Sequence, residues 1–272
     1  MAYVWPVLIA VSLWWLATLG LLWRIGLPRT TFRASLWAVT AAMVIGVGCI
    51  IASASMATPL GAYLAFVGTL GVWCWHEATY FFGSISGPRP LPCPAGVTLW
   101  QRFCYGVGVS LYHELLVVLT ALLLWALLKD AANPVALQAF VVLWLMRWST
   151  KINIFFGVSN LHTEYWPSHL QYLDSYAGAA NTNRFFPLSI ALGVALTVWL
   201  VQPWLGFANT AFDVVSVSLL LTLLVLGLLE HLFLLVPVPD GKLWSLAVQT
   251  PTKDLSVEDT HFRNVHKHRR PR

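Results

Sequence analysis

The sequence predicts an all-α protein: a polytopic transmembrane bundle of about seven helices. Three observations predict it. Of 272 residues, 58% are hydrophobic and only 10% charged, whereas a soluble chain carries about 25% charged residues. The mean hydropathy is +0.71, and the apolar residues come in runs of about 20, the length that crosses a hydrocarbon core about 30 Å thick. Trp occurs 15 times. Trp23, Trp37, Trp100, Trp125, Trp204 and Trp244 stand near the ends of the runs, where amphipathic rings favour the membrane interface. The same figures exclude a soluble globular, fibrous or disordered chain.

The apolar runs place spans at about 3–23, 35–56, 62–82, 104–128, 134–157, 186–205 and 212–236. Together they make one transmembrane domain, 1–238, followed by a basic tail, 239–272. The first span is not expected to be a cleavable signal, because no basic residue precedes it and the first positive charge is Arg24. Of the 16 Lys and Arg residues, all but Lys129 fall on one side of this scheme. They are Arg24, Arg29 and Arg33, then Arg89 and Arg102, then Arg147, Lys151 and Arg184, and finally the cations of the tail. Cytoplasmic loops carry such an excess, so the N-terminus is expected outside and the C-terminus in the cytoplasm. The net charge of +5 therefore marks orientation and anionic lipid rather than nucleic acid, which would need a basic patch on one face.

The connection 83–102 is rich in Pro and Gly and reads as a turn-rich loop. The stretch 160–184 is polar and aromatic, with a short interfacial helix expected at Pro167–Tyr176. The tail lacks apolar periodicity and reads as disordered. The four cysteines, Cys49, Cys74, Cys93 and Cys104, have no CxxC spacing, so no disulfide framework or zinc ribbon is indicated. Phosphate loops, the Gly-x-Ser-x-Gly elbow and the dinucleotide fingerprint are absent. Span seven has no lysine for a retinal Schiff base.

Ionisable residues inside spans are costly and mark function by default. Here they recur as His/Glu pairs: His76-Glu77, His113-Glu114 and Glu230-His231. At 1.5 Å per residue they lie about 9–13 Å from one end of their spans, which puts three pairs from three helices in one layer. Span five adds Arg147 and Lys151 on one face, with Asn153 and Asn160 further round; His162, Glu164 and His169 follow. Two chemistries fit. In one, the glutamates pair with Arg147, Lys151 and the histidines, so the network ties helices together. In the other, His76, Glu77, His113, Glu114, His162, Glu164, His169, Glu230 and His231 supply ligands to iron, manganese or zinc, since imidazole and carboxylate suit those ions. The Glu-x-x-His motif of di-iron bundles is absent. A buried histidine could also ligate a tetrapyrrole, with Trp73, Trp75, Tyr80, Phe81, Phe82 and Tyr112 as planar neighbours.

Several short stretches, in order, resemble the photosynthetic complex assembly protein 2 family, the PuhE type. They include Leu27-Pro28-Arg29-Thr30-Thr31-Phe32-Arg33, Trp75-His76-Glu77, Gly87-Pro88-Arg89, Pro92-Cys93-Pro94 and Tyr112-His113-Glu114-Leu115. Met146-Arg147-Trp148-Ser149-Thr150-Lys151-Ile152-Asn153, Gly157-Val158-Ser159-Asn160-Leu161 and Leu229-Glu230-His231 continue the likeness. The resemblance runs to about residue 245 and leaves out the basic tail. It implies a multi-pass protein of the cytoplasmic or intracytoplasmic membrane of purple bacteria. It also implies a role in assembling the reaction-centre and light-harvesting complex, with its subunits and the pigment biosynthesis proteins as partners. The cofactor it suggests is a bacteriochlorophyll-type tetrapyrrole. The expected function is thus an assembly factor without catalysis, handling bacteriochlorophyll or nascent subunits. The alternative is a membrane metalloenzyme, a di-iron-like oxidoreductase acting on a tetrapyrrole, quinone or carotenoid.

Overall fold

The computed structural model describes residues 3–161, 163, 166, 168–180, 183–202 and 210–236. The expected tail 239–272, together with His162 and Glu164, lies outside the described residues. Among the described residues the protein is helical, with no strand. Its helices are α1 Val4–Ile25, α2 Phe32–Ser53, α3 Pro59–Phe81, α4 Leu99–Leu128, α5 Val135–Phe156, α6 Phe185–Val201 and α7 Ala211–Phe233. The 3-10 segments Arg29–Thr31 and Ser168–Tyr176 lie between these helices. The second replaces the interfacial helix expected over Pro167–Tyr176.

Among the described residues, five helices are long and apolar enough to cross a membrane: α1, α2 with the 3-10 turn before it, α4, α5 and α7. Helix α6 is apolar but has only 17 residues, about 25 Å at 1.5 Å per residue. Helix α3 has 23 residues and is the hub, packing against α1, α2, α4, α5 and α7. A helix so enclosed needs less apolar surface, and α3 buries Thr69, His76, Glu77 and Thr79.

Local chemistry sets the helix starts. Thr58 Oγ1 accepts from Gly61 N at 3.2 Å, with Pro59 in the first turn of α3. Thr98 and Gln101 form a reciprocal capping box that starts α4 at Leu99, five residues before the expected 104. Such a box satisfies two of the orphan donors of a helix N-terminus, so the helix is nucleated in polar sequence upstream of the apolar run. Thr210 and Asp213 do the same for α7.

Helices α2 and α3 meet at glycines. A Cβ added to Gly46 would lie 2.6 Å from the Gly68 carbonyl oxygen, and one on Gly68 would lie 2.5 Å from that of Gly46. Small residues let helix backbones approach this closely in lipid, where van der Waals contact drives association. The apolar core then fills from Phe66 on α3, Phe140 on α5, Val117 on α4, and Leu219, Leu220 and Leu224 on α7. Asn133 joins the α2 and α5 ends: its backbone N–H donates to Ala54 O at 3.0 Å and its Nδ2 to Ser53 O at 3.1 Å.

Candidate functional site

The polar side chains of the bundle converge on α5. Arg147 and Lys151, four residues apart, lie one turn from each other on one face. An Arg147 Nη2 donates to Glu77 Oε2 of α3 at 2.9 Å, and Lys151 Nζ pairs with Glu114 Oε1 of α4. The side chains of Glu77 and Glu114 are 10% and 13% exposed, so both carboxylates depend on these partners rather than on water. Tyr80 lies beneath both cations, with Arg147 Cζ 5.9 Å and Lys151 Nζ 5.1 Å from its ring centroid. The Glu230 side chain of α7 lies within electrostatic reach of Arg147.

Each histidine turns away from its neighbouring glutamate, as adjacent helix positions about 100° apart require. His76 approaches α4, its Nε2 3.1 Å from Thr120 Oγ1 and its ring 6.1 Å from that of His113. His113 packs on Tyr80 at 4.9 Å between centroids. His231 Nδ1 donates to Gly227 O at 2.7 Å, and its Nε2 meets Ser149 Oγ at 2.8 Å. Asn153 Nδ2 donates to Ser149 O and to Ser189 Oγ on α6, both at 3.0 Å. Asn160 sits apart from this layer and donates through Nδ2 to the carbonyl oxygens of Phe233, at 3.3 Å, and Val236, holding the end of α7.

His169 is also separate. Its Nε2–H donates to the Phe81 carbonyl at 2.7 Å, where α3 ends, and its ring meets Phe32 edge-on. Burial, with a smaller contribution from the charge on Arg29, lowers its pKa below the ordinary 6.5. A histidine lowered on folding adds stability above about 6.5 that is lost as pH falls through its folded value. Mild acidification should therefore raise hydrogen exchange in Ser168–Tyr176. His169→Gln, which keeps a donor for Phe81, should remove that pH dependence.

A strap unforeseen in the sequence braces α4 beside the layer. The His113 N–H, in a helix interior, donates to Ser86 O at 2.9 Å, and Arg89 N–H donates to Gly108 O at 3.3 Å. Gly87 lies flush on α4, where a Cβ would come within 2.2 Å of Gly108 O. Arg89 bonds the Tyr176 hydroxyl and stacks over Tyr105 at 4.5 Å, while Tyr176 Oη donates to Leu91 O at 2.8 Å. The signals for it were Gly87 before Pro88-Arg89 and the paired Gly106 and Gly108. Thr120 and Ser189 were also missed, being ordinary in apolar helices.

Iron, manganese or zinc would need several of these donors to converge. Glu77 and Glu114 are taken by cations, His231 is bonded at both nitrogens, and His169 is spent on Phe81. Among the described residues no three His, Cys, Asp or Glu side chains are placed to hold a metal ion. A tetrapyrrole fits the layer no better. His76, His113 and His231 are 1%, 2% and 1% exposed, and Trp73, Trp75, Tyr80 and Phe140 pack directly against the first two.

Fold and layer define a helical membrane protein whose intramembrane charges are paired across α3, α4 and α5. The chain belongs to the family described as Protein of unknown function (DUF3623), which matches residues 1–254. It is 33% identical over 243 residues to an uncharacterized 30.4 kDa protein in the puhA 5′ region of Rhodobacter capsulatus, covering 88% of each chain. No solved structure matches the chain.

Proposed function

We propose that this protein is an integral membrane factor for assembly of the bacterial reaction-centre and light-harvesting complex, acting on nascent subunits or their bacteriochlorophyll rather than as an enzyme. The observation that carries this reading is the gene position of the Rhodobacter capsulatus relative, in the puhA 5′ region. The PuhE-type stretches noted above agree with it, and they include the residues of the α5 layer. The layer's part is to hold α3, α4 and α5 in register through paired charges, with α7 joined to α5 by the His231–Ser149 hydrogen bond, so that the lipid-facing surface keeps one shape. The metalloenzyme alternative has no donor set among the described residues to favour it.

In this reading all seven helices cross the cytoplasmic or intracytoplasmic membrane, with the N-terminus outside. Helix α3 crosses inside the bundle, and α6 crosses at the lower limit of about 17 residues. The support is the distribution of cations along the sequence: of the 16 Lys and Arg residues, Lys129 alone falls on the outer side of that span scheme. Deleting the gene in a phototrophic host should lower assembled reaction-centre complex, read by pigment absorbance of the membranes, while subunit transcripts stay constant. Unchanged complex in the deletion strain would refute the proposal.

A further inference from the structure

The charges around α5 do not balance. Glu77 pairs with Arg147 and Glu114 with Lys151. The Glu230 carboxyl is left without an ion pair or hydrogen bond to another described residue, and the charges acting on it are those of Arg147 and Glu77. The other helices packed on α7 bring no further cation. Helix α6 has no ionisable side chain, and α1 has only Arg24, which is bonded to Ser35 Oγ and Thr31 O.

The histidines do not supply the missing positive charge. His231 is satisfied as a neutral ring, with Nδ1–H on Gly227 O and Nε2 accepting from Ser149. The Thr120 hydroxyl donates to Leu116 O at 2.9 Å, so His76 Nε2–H donates to Thr120 and Nδ1 is left a buried acceptor. A proton added at Nδ1 would find no acceptor. His113 lies in the field of Lys151 and Arg147, where a third cation would be repelled. The layer does hold an acceptor for an acid: Glu77, 8% exposed, keeps Oε1 buried and without a hydrogen-bond partner.

We propose that Glu230 is a proton-binding site, carrying one exchangeable proton as a carboxylic acid beside the ion-paired Glu77 and Glu114. The proton comes from water and forms a single O–H bond, which brings the layer to neutrality without any change in helix packing. An ionised carboxylate lacking a partner at this depth is among the costliest groups a membrane helix can carry, and protonation removes that charge.

Infrared spectroscopy of the purified full chain in lipid nanodiscs at neutral pH tests this, independently of any assembly role. The wild type should show the carbonyl stretch of a protonated carboxyl, resolved from the carboxylate bands and shifted to lower frequency in D2O. Glu230→Gln should lose that band, and His231→Gln should keep it. Glu230→Gln should also accumulate like wild type, because an amide is isosteric with a neutral acid. A wild type without the band, a Glu230→Gln protein that retains it, or a Glu230→Gln protein that does not fold would each overturn the proposal.

Discussion

Arg147→Met should unfold at a markedly lower temperature than wild type in detergent and accumulate poorly in membranes. Its guanidinium is the counter-charge for Glu77. Removing one partner of a buried ion pair typically costs about 3–5 kcal/mol, because the other charge remains buried and alone. The Arg147 side chain is 25% exposed, which places the expected loss at the lower end of that range. Adding Glu77→Met should recover most of it, since an apolar pair of similar volume is often neutral or better. Lys151→Met is the informative contrast. A lysine stem can carry its ammonium toward water, and Glu114 is slightly more exposed than Glu77, so the loss should be smaller. An Arg147→Met protein as stable as wild type would show that the layer does not tie the helices together.

Gly68→Leu should be nearly as damaging, through packing alone. Its Cβ would fall 2.5 Å from a backbone oxygen of α2 and 3.0 Å from Ile50 Cγ1. Backbone cannot rotate away as a side chain can, so α2 must move off α3. Overpacking costs about 1–3 kcal/mol, and more where backbone must shift. The readout is a fall in unfolding temperature together with loss of a monodisperse detergent peak. Gly48→Leu is the control, because no atom lies within 4 Å of a Cβ built there. Equal effects at the two positions would mean that leucine itself, rather than the α2–α3 contact, does the damage.

Much of this was legible in the residues. Seven helices fall close to the seven apolar runs, and the largest shift, α4 beginning at Leu99, follows from the Thr98–Gln101 box, which apolar run length ignores. Five of the seven meet the length and hydropathy of a membrane span. Helix α3 shows the limit of reading single helices by composition, since its polar residues are covered by neighbours that no local window contains. For the site, matched depth brought the His/Glu pairs of α3 and α4 within one layer, where the two imidazole rings stand 6.1 Å apart. It left the ion-pair, metal and tetrapyrrole chemistries open, with the ion-pair network favoured. His169 and Asn160, close to the layer in sequence, proved to bind helix ends instead.

By itself the sequence determined that this is a helical membrane protein with a few ionisable residues retained among apolar ones, because hydropathy and depth are sums over neighbouring residues. Tertiary structure alone decided what those residues do to one another. Two side chains at equal depth meet only if their helices are adjacent and rotated face to face, and that rotation is set by packing. The close glycine contact of α2 with α3 and the strap on α4 belong to that packing. It directs Glu77 and Glu114 to α5, sends the histidines elsewhere, and leaves the Glu230 carboxyl without a partner among the described residues.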